Sequence, residues 1–260
     1  ITARRRPPRA GAPAAGHARD TASDPPRHTE LLDRAQAVQV ALGAERWLHA
    51  ILRQDLDESQ VDHLGEIWAS ELPGLPIDGG EVFGKVEDVQ GRFNINNLVD
   101  EDGAIDQPSL EQFRRLLLAL DLDPRTAGIA ADWVDADREA EFPDGAEDPI
   151  YTGLVPPYRT ANQVLTSASE LAALEGIDRA TLDILLPHVV ALPGRTAINV
   201  NTATGPVLQS LSEDISAADV ERLIAERAEA GFTDVSNSFS SLVTPEVLNQ
   251  LDESTDYFQL

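Results

Sequence analysis

Neither cysteine nor methionine occurs among the 260 residues of this sequence. Without cysteine there is no disulfide, no thiolate metal ligand and no cysteine nucleophile. Without methionine the sequence is expected to be a piece of a longer chain. No run of about 18 apolar residues is present, the length that marks a membrane-spanning helix, and no secretory leader is visible. Basic residues are scarce: 20 Lys and Arg stand against 45 Asp and Glu, a formal net charge of -25. Such an excess repels phosphate backbones and anionic lipid surfaces, and it favours hard cations that take oxygen ligands. Three Trp and three Tyr leave little for a sugar-stacking cleft.

Catalytic signatures are missing as well. A hydrolytic site needs a nucleophile within reach of an oriented base. The histidines are His17, His28, His49, His63 and His188, and no recognisable motif surrounds any of them. There is no G-x-S-x-G elbow, Walker loop, dinucleotide fingerprint or H-E-x-x-H. Among 45 acids some pair always lies close, so a carboxylate pair by itself says nothing about glycoside chemistry. No enzymatic role is expected.

What is present is organised. Residues 1–29 carry six Arg and clustered Pro with no apolar period, and are expected to be a disordered tail. From Leu31 to Leu56 apolar residues recur at spacings of three and four, which predicts a long amphipathic helix. Gly43 inside it suggests close packing against a neighbour. Gly80 to Val89 alternates like a strand, and Gly91 to Leu98 reads as asparagine-rich turns that bond the local backbone. Helices are predicted at Pro108–Leu120, Ala127–Val134, Ser169–Leu174, Arg179–Val190, Gly205–Leu211 and Ala217–Ala230. Strands are predicted at Ala197–Val200 and near Tyr257–Leu260, the latter cut short. The order predicts an α+β fold: a long N-terminal helix and small sheet over 30–98, an inserted helical domain over 99–195, and a return to the sheet over 196–260.

Two segments resemble helix-hairpin-helix modules of competence-type DNA receptors. The first runs from Ser169 through Gly176 to Leu186, the second from Ile198 through Ser216 to Phe232. Such hairpins hold phosphate on backbone N–H groups with basic side chains nearby. Here Glu175 and Asp178 flank the first turn, and Glu213 and Asp214 occupy the second. A phosphate would meet repulsion at both, so the hairpins read as structural corners that bury Leu and Ile. DNA binding remains the alternative function.

Asp132, Asp135 and Asp137, followed by Asp144, Glu147 and Asp148, crowd carboxylates into one short stretch. Calcium takes six to eight oxygens in irregular geometry, whereas zinc would want His or Cys. Counted from Asp135, an EF-hand fails at Ala140 and Ala146, which stand where Gly and Glu belong. Spacing alone leaves two readings open, a hard-cation site and a solvated acidic loop.

Several signatures occur in order: Gly91-Arg92-Phe93-Asn94-Ile95-Asn96-Asn97-Leu98, Asp132-Trp133-Val134-Asp135-Ala136-Asp137, Gly145-Ala146-Glu147-Asp148, Tyr158-Arg159-Thr160-Ala161-Asn162 and Asn199-Val200-Asn201-Thr202-Ala203. Together they resemble the GspK family of minor pseudopilins of the type II secretion system, from about Leu31 to Leu260. The resemblance implies a pilin-like fold with a large helical insertion. It implies a periplasmic domain anchored in the inner membrane of a Gram-negative bacterium, and a tip complex with GspI and GspJ. It also implies calcium in the acidic region, with Asp132, Asp135, Asp137, Glu147 and Asp148 as the ligand set and Asp144 as a bystander. The Arg/Pro tail stands where the family has its leader and apolar helix half.

Overall fold

The computed structural model describes residues 25–70, 74–77 and 80–260. Helices α1 (Pro25–Glu58), α2 (Gln107–Ala119), α3 (Thr126–Val134), α4 (Asp148–Tyr151), α5 (Arg179–Leu185), α6 (Gly205–Ser210), α7 (Ala217–Ala230), α8 (Val235–Phe239) and α9 (Pro245–Leu248) alternate with short strands. The strands are β1 (Leu75–Ile77), β2 (Gly80–Val82), β3 (Glu87–Asp88), β4 (Phe93–Asn94), β5 (Val189–Val190), β6 (Ile198–Asn199), β7 (Leu251–Asp252) and β8 (Phe258–Gln259). The described residues form two compact units: those of 25–59 and 66–87 with 260, and those of 60–65 with 88–259. The boundary expected near Val99 falls inside the second unit.

In the first unit α1 is described from Pro25, ahead of the predicted Leu31, so it takes in the last residues of the expected tail. The rest of the expected tail, residues 1–24, lies outside the described residues. Periodicity predicted an apolar face for this helix, yet Val38, Leu42, Trp47 and Leu56 are exposed, and Leu48 alone from this helix joins the buried hydrophobic residues described. The close approach predicted at Gly43 is not made among the described residues, since an added Cβ there meets nothing within 4 Å. β1 and β2 pair antiparallel, Leu75 opposite Val82. The single strand predicted from Gly80 to Val89 is thus broken into β2 and β3.

The second unit holds the main core. α2 packs on α3 and α6, with Leu110, Phe113, Leu116 and Leu117 buried. Asp106 caps α2 by accepting from the Ser109 N–H at 2.9 Å. Phe113 stacks on Phe93 at 5.2 Å between ring centroids. Burying one such ring contributes roughly 1.5–3 kcal/mol. The predicted helix Arg179–Val190 stops at Leu185. Pro187 cannot continue it, and Val189 and Val190 instead form β5, parallel to β4. β6 pairs parallel with β7. Both hairpins that resemble DNA-binding modules turn their apolar residues inward: Leu171, Leu174, Leu182 and Leu185 from the first, Val207, Leu208, Leu211, Ile215 and Leu223 from the second.

Short ladders need other cross-links, and buried asparagines supply them. The turns predicted at Gly91–Leu98 are β4 followed by a buried 3-10 turn, Ile95–Leu98, and most of their asparagine bonds are long-range. The Asn96 amide donates to Leu165 and Leu192 carbonyls, 2.9 Å each, while its oxygen accepts from Leu165 N–H at 2.8 Å. Asn94 accepts from Leu192 N–H and donates to the Gly194 carbonyl. Asn97 exchanges two bonds with the Thr196 backbone. Asn201 does the same with Phe232.

Asn96→Ala leaves three buried backbone groups unpaired, each costing roughly 1–3 kcal/mol. We expect urea denaturation of this variant to show a loss of about 3 kcal/mol or more, against less than about 0.5 kcal/mol for the exposed control Gln54→Ala. Equal losses in the two variants would refute the cross-linking role.

Candidate metal centre

α3 is buried along its whole length, and its C-terminal end carries Asp132 and Asp135 one turn apart. Both are unusual for such a place: Asp132 is 0% exposed and Asp135 2%. Carboxylates at a helix C-terminus also face the negative end of the helix dipole. The chain then leaves through Ala136, whose N–H donates to the Gly103 carbonyl at 3.0 Å. It returns over α3 by way of Asp144, whose backbone lies 3.2 Å from where a Cβ on Gly128 would sit. Glu147 closes the loop as the cap of α4.

This path brings Asp135, Asp137 and Glu147 together, with one carboxylate oxygen from each within 4.8 Å of the others. Asp135 and Glu147 are buried and Asp137 is exposed. Asp135 Oδ1 and Glu147 Oε1 are buried with no hydrogen-bond partner. The other Glu147 oxygen accepts from Thr160 Oγ1 at 2.8 Å and from the Asp148 N–H at 3.1 Å. Asp137 accepts from the Glu139 N–H at 2.7 Å, and its carbonyl from the Asn162 amide.

The remaining predicted residues lie outside this group. Asp132 directs both oxygens at the Glu141 N–H, at 3.0 and 3.2 Å. Asp148 accepts from the Thr160 hydroxyl at 3.2 Å and faces Arg159 at 3.3 Å. Asp144 lines an open cavity of about 410 Å³ with Asp123, Arg125 and Glu175. Thr160 and Asn162 had no site role in the sequence reading. They belong to the Tyr158–Asn162 signature, whose order in the chain hinted at importance without saying where it packs. Among the histidines, His49 is exposed, and His188 shares a 2.7 Å hydrogen bond with Thr204 Oγ1. Burial, and then the charge of Arg92, push the His188 pKa down.

The electrostatics are one-sided. Burial raises the Asp135 pKa to about 7, with Asp137, Asp132 and Glu147 adding repulsion. Asp132 is raised to about 6, by burial first, against the lowering effect of the Glu141 and Ala146 N–H groups. A mutually repelling set with two buried members, two orphaned oxygens and no His or Cys fits a hard divalent cation such as calcium.

The second unit is an acidic α+β module cross-linked by asparagine amides, and it carries the Asp135, Asp137 and Glu147 cluster. Family models described as type II secretion system (T2SS), protein K match residues 91–194 and 198–251. Type II secretion system protein K of Pseudomonas aeruginosa is 40% identical over 208 residues, 76% of this chain and 62% of that protein. The Klebsiella pneumoniae protein of that name is 36% identical over 78% of this chain and 66% of its own length. The Dickeya chrysanthemi one is 30% identical over 85% of this chain and 74% of its own length. A chain of the crystal structure of the GspK-GspI-GspJ complex from enterotoxigenic Escherichia coli superposes with a TM-score of 0.78 at 26% identity, over 89% of this chain and 86% of that one. This chain belongs to the type II secretion system protein K family. It shares that structure's fold class, a pilin-like α+β fold with a helical insertion. It spans 62% and 66% of the Pseudomonas and Klebsiella proteins, and among the described residues no helix is long and apolar enough to cross a membrane.

Both raised carboxyls hold protons in the folded chain that they release in the unfolded chain at pH values above their ordinary 3.8. Their contribution to stability therefore falls as pH rises from about 4 to 7. In metal-stripped protein, Asp135→Asn should melt higher than wild type near pH 7.5, and that advantage should shrink toward pH 5. An advantage that is absent, or that grows on acidification, would contradict the assignment.

Proposed function

We propose that this chain is a minor pseudopilin, a structural subunit at the tip of the type II secretion pseudopilus that supports protein export across the outer membrane without catalytic turnover. It works on the periplasmic side of the inner membrane of a Gram-negative bacterium, in a heteromeric complex with GspI- and GspJ-type partners. Inner-membrane anchoring by an apolar N-terminal helix is the form the family implies. The observation that carries the reading is the likeness, over 89% of the chain, to a structure determined as a GspK-GspI-GspJ complex. The apolar face of α1 supports it: Val38 is 51%, Leu42 42%, Trp47 48% and Leu56 67% exposed. Ala35 and Gly43 beside them would let a neighbouring helix approach closely.

Co-purification with GspI and GspJ tests this. We expect a stable ternary complex, and we expect Leu42→Glu with Trp47→Glu to weaken it at least about tenfold, equivalent to about 1.4 kcal/mol. Both side chains reach solvent and neither belongs to the buried core, so the variant should fold as the wild type does. No association between folded proteins well above micromolar concentration would count decisively against the complex.

Calcium is the ion we assign to Asp135, Asp137 and Glu147. The support is the pair of buried oxygens without partners and the gathering of three carboxylate oxygens within 4.8 Å of one another. When bound, the ion supplies the positive charge that turns repulsion among these carboxylates into attraction. The chain's own part is to present them: α3 aims Asp135, the α4 cap aims Glu147, and Thr160 fixes the second Glu147 oxygen. A ligand that binds the folded state alone stabilises it by about 2.7 kcal/mol at a hundredfold excess over its Kd. Calcium should therefore raise the melting temperature of stripped protein more than magnesium does. Asp135→Asn with Glu147→Gln should abolish the difference, whereas Asp144→Asn should keep it. Identical melting with and without millimolar calcium would mean a merely solvated loop.

A further inference from the structure

Asp132 differs from its acidic neighbours in what its oxygens face. It is wholly buried, it accepts from the Glu141 N–H with both oxygens at 3.0 and 3.2 Å, and the Ala146 N–H on the returning chain lies near enough to favour its charged form. Neither of its oxygens is among the buried atoms without a partner, in contrast to Asp135 Oδ1 and Glu147 Oε1. Gly145 presses on the same carboxylate: a Cβ there would lie 2.2 Å from Asp132 Oδ2 and 2.4 Å from the Glu141 nitrogen. The Gly145 N–H closes a tight turn onto the Glu141 carbonyl at 2.6 Å. One side chain on α3 thus gathers both limbs of the loop, and each limb adjoins the acidic cluster. Asp135 lies one helical turn beyond Asp132, and Glu147 follows Ala146 directly.

We propose that Asp132 is a positioning residue, a staple between α3 and the returning loop that sets the distance from Asp135 to Glu147 without touching the cation itself. The role as it concerns the ion rests on the calcium reading above. Groups that orient metal ligands from behind characteristically change affinity 10–100-fold when removed. A ligand, by contrast, leaves a coordination position that water fills.

Terbium, a luminescent stand-in for calcium, separates the two, because its luminescence lifetimes in light and heavy water count bound waters. Asp132→Leu removes every oxygen from the side chain. Gly145→Ala disturbs the same contact from the loop side and serves where the leucine variant does not fold. In metal-free protein, both variants should speed hydrogen exchange at the Glu141 and Ala146 amides. Both should weaken terbium binding about 10–100-fold, yet at saturation bind it with the wild-type number of waters. Asp135→Ala should add at least one water. An added water in Asp132→Leu would make Asp132 a ligand and overturn the proposal, as would unchanged exchange and affinity. If the wild type binds no terbium, the calcium reading fails, and amide exchange alone then decides whether the staple exists.

Discussion

Asn96 is 3% exposed, and its amide meets three backbone groups from two distant segments, at Leu165 and Leu192. Asn94, Asn97, Asn199 and Asn201 behave alike, each joining a short strand or turn to chain far away in sequence. The ladders in this unit are two residues long, too short to hold the loops that run between them. A primary amide offers donors and acceptor together, so it pairs with a peptide group as another peptide would. The core helices α2, α3 and α6 rest on that framework. Each amide removed would strand several buried polar groups at once, and the low local dielectric makes that costly.

On this framework sits a deliberate electrostatic imbalance. Burial, like charge and the helix terminus all oppose ionisation of Asp135. Ordinary surface acids elsewhere in the chain find partners at once: Asp123 with Arg125, Asp183 with Arg179, Asp219 with Arg222. Around Asp135 the local hydrogen bonds instead go to holding the loop shut, through Asp132 and Thr160. The loop keeps repelling groups close, an arrangement that a divalent cation, on the reading proposed above, would make favourable.

The long helix α1 shows the complementary strategy. Its apolar side chains stay exposed in the single chain, which costs the desolvation that a core would have gained. A member of this family was solved in a three-protein complex, and on the function proposed above such a face would be covered on assembly.

Much of this was legible from residues alone. Local periodicity revealed α2, α3, α7 and the long helix, because apolar spacing reports a helix wherever its face ends up. The same spacing could not say how much of that face is covered: Leu48 is buried, while Val38, Leu42, Trp47 and Leu56 stay exposed. The acidic stretch stood out in the sequence, and the ordered signatures pointed to the family. Which acids meet was decided by the tertiary path. Asp135 and Glu147 are joined because Gly145 permits a turn tight enough to wrap Asp132, while Asp148 turns away to Thr160 and Arg159. Likewise Val189 and Val190, beyond Pro187, exchange helix for strand because β4 lies alongside to pair with them. Composition and spacing set the chemistry available to this chain. Long-range backbone pairing, which no local pattern encodes, chose the groups that face one another.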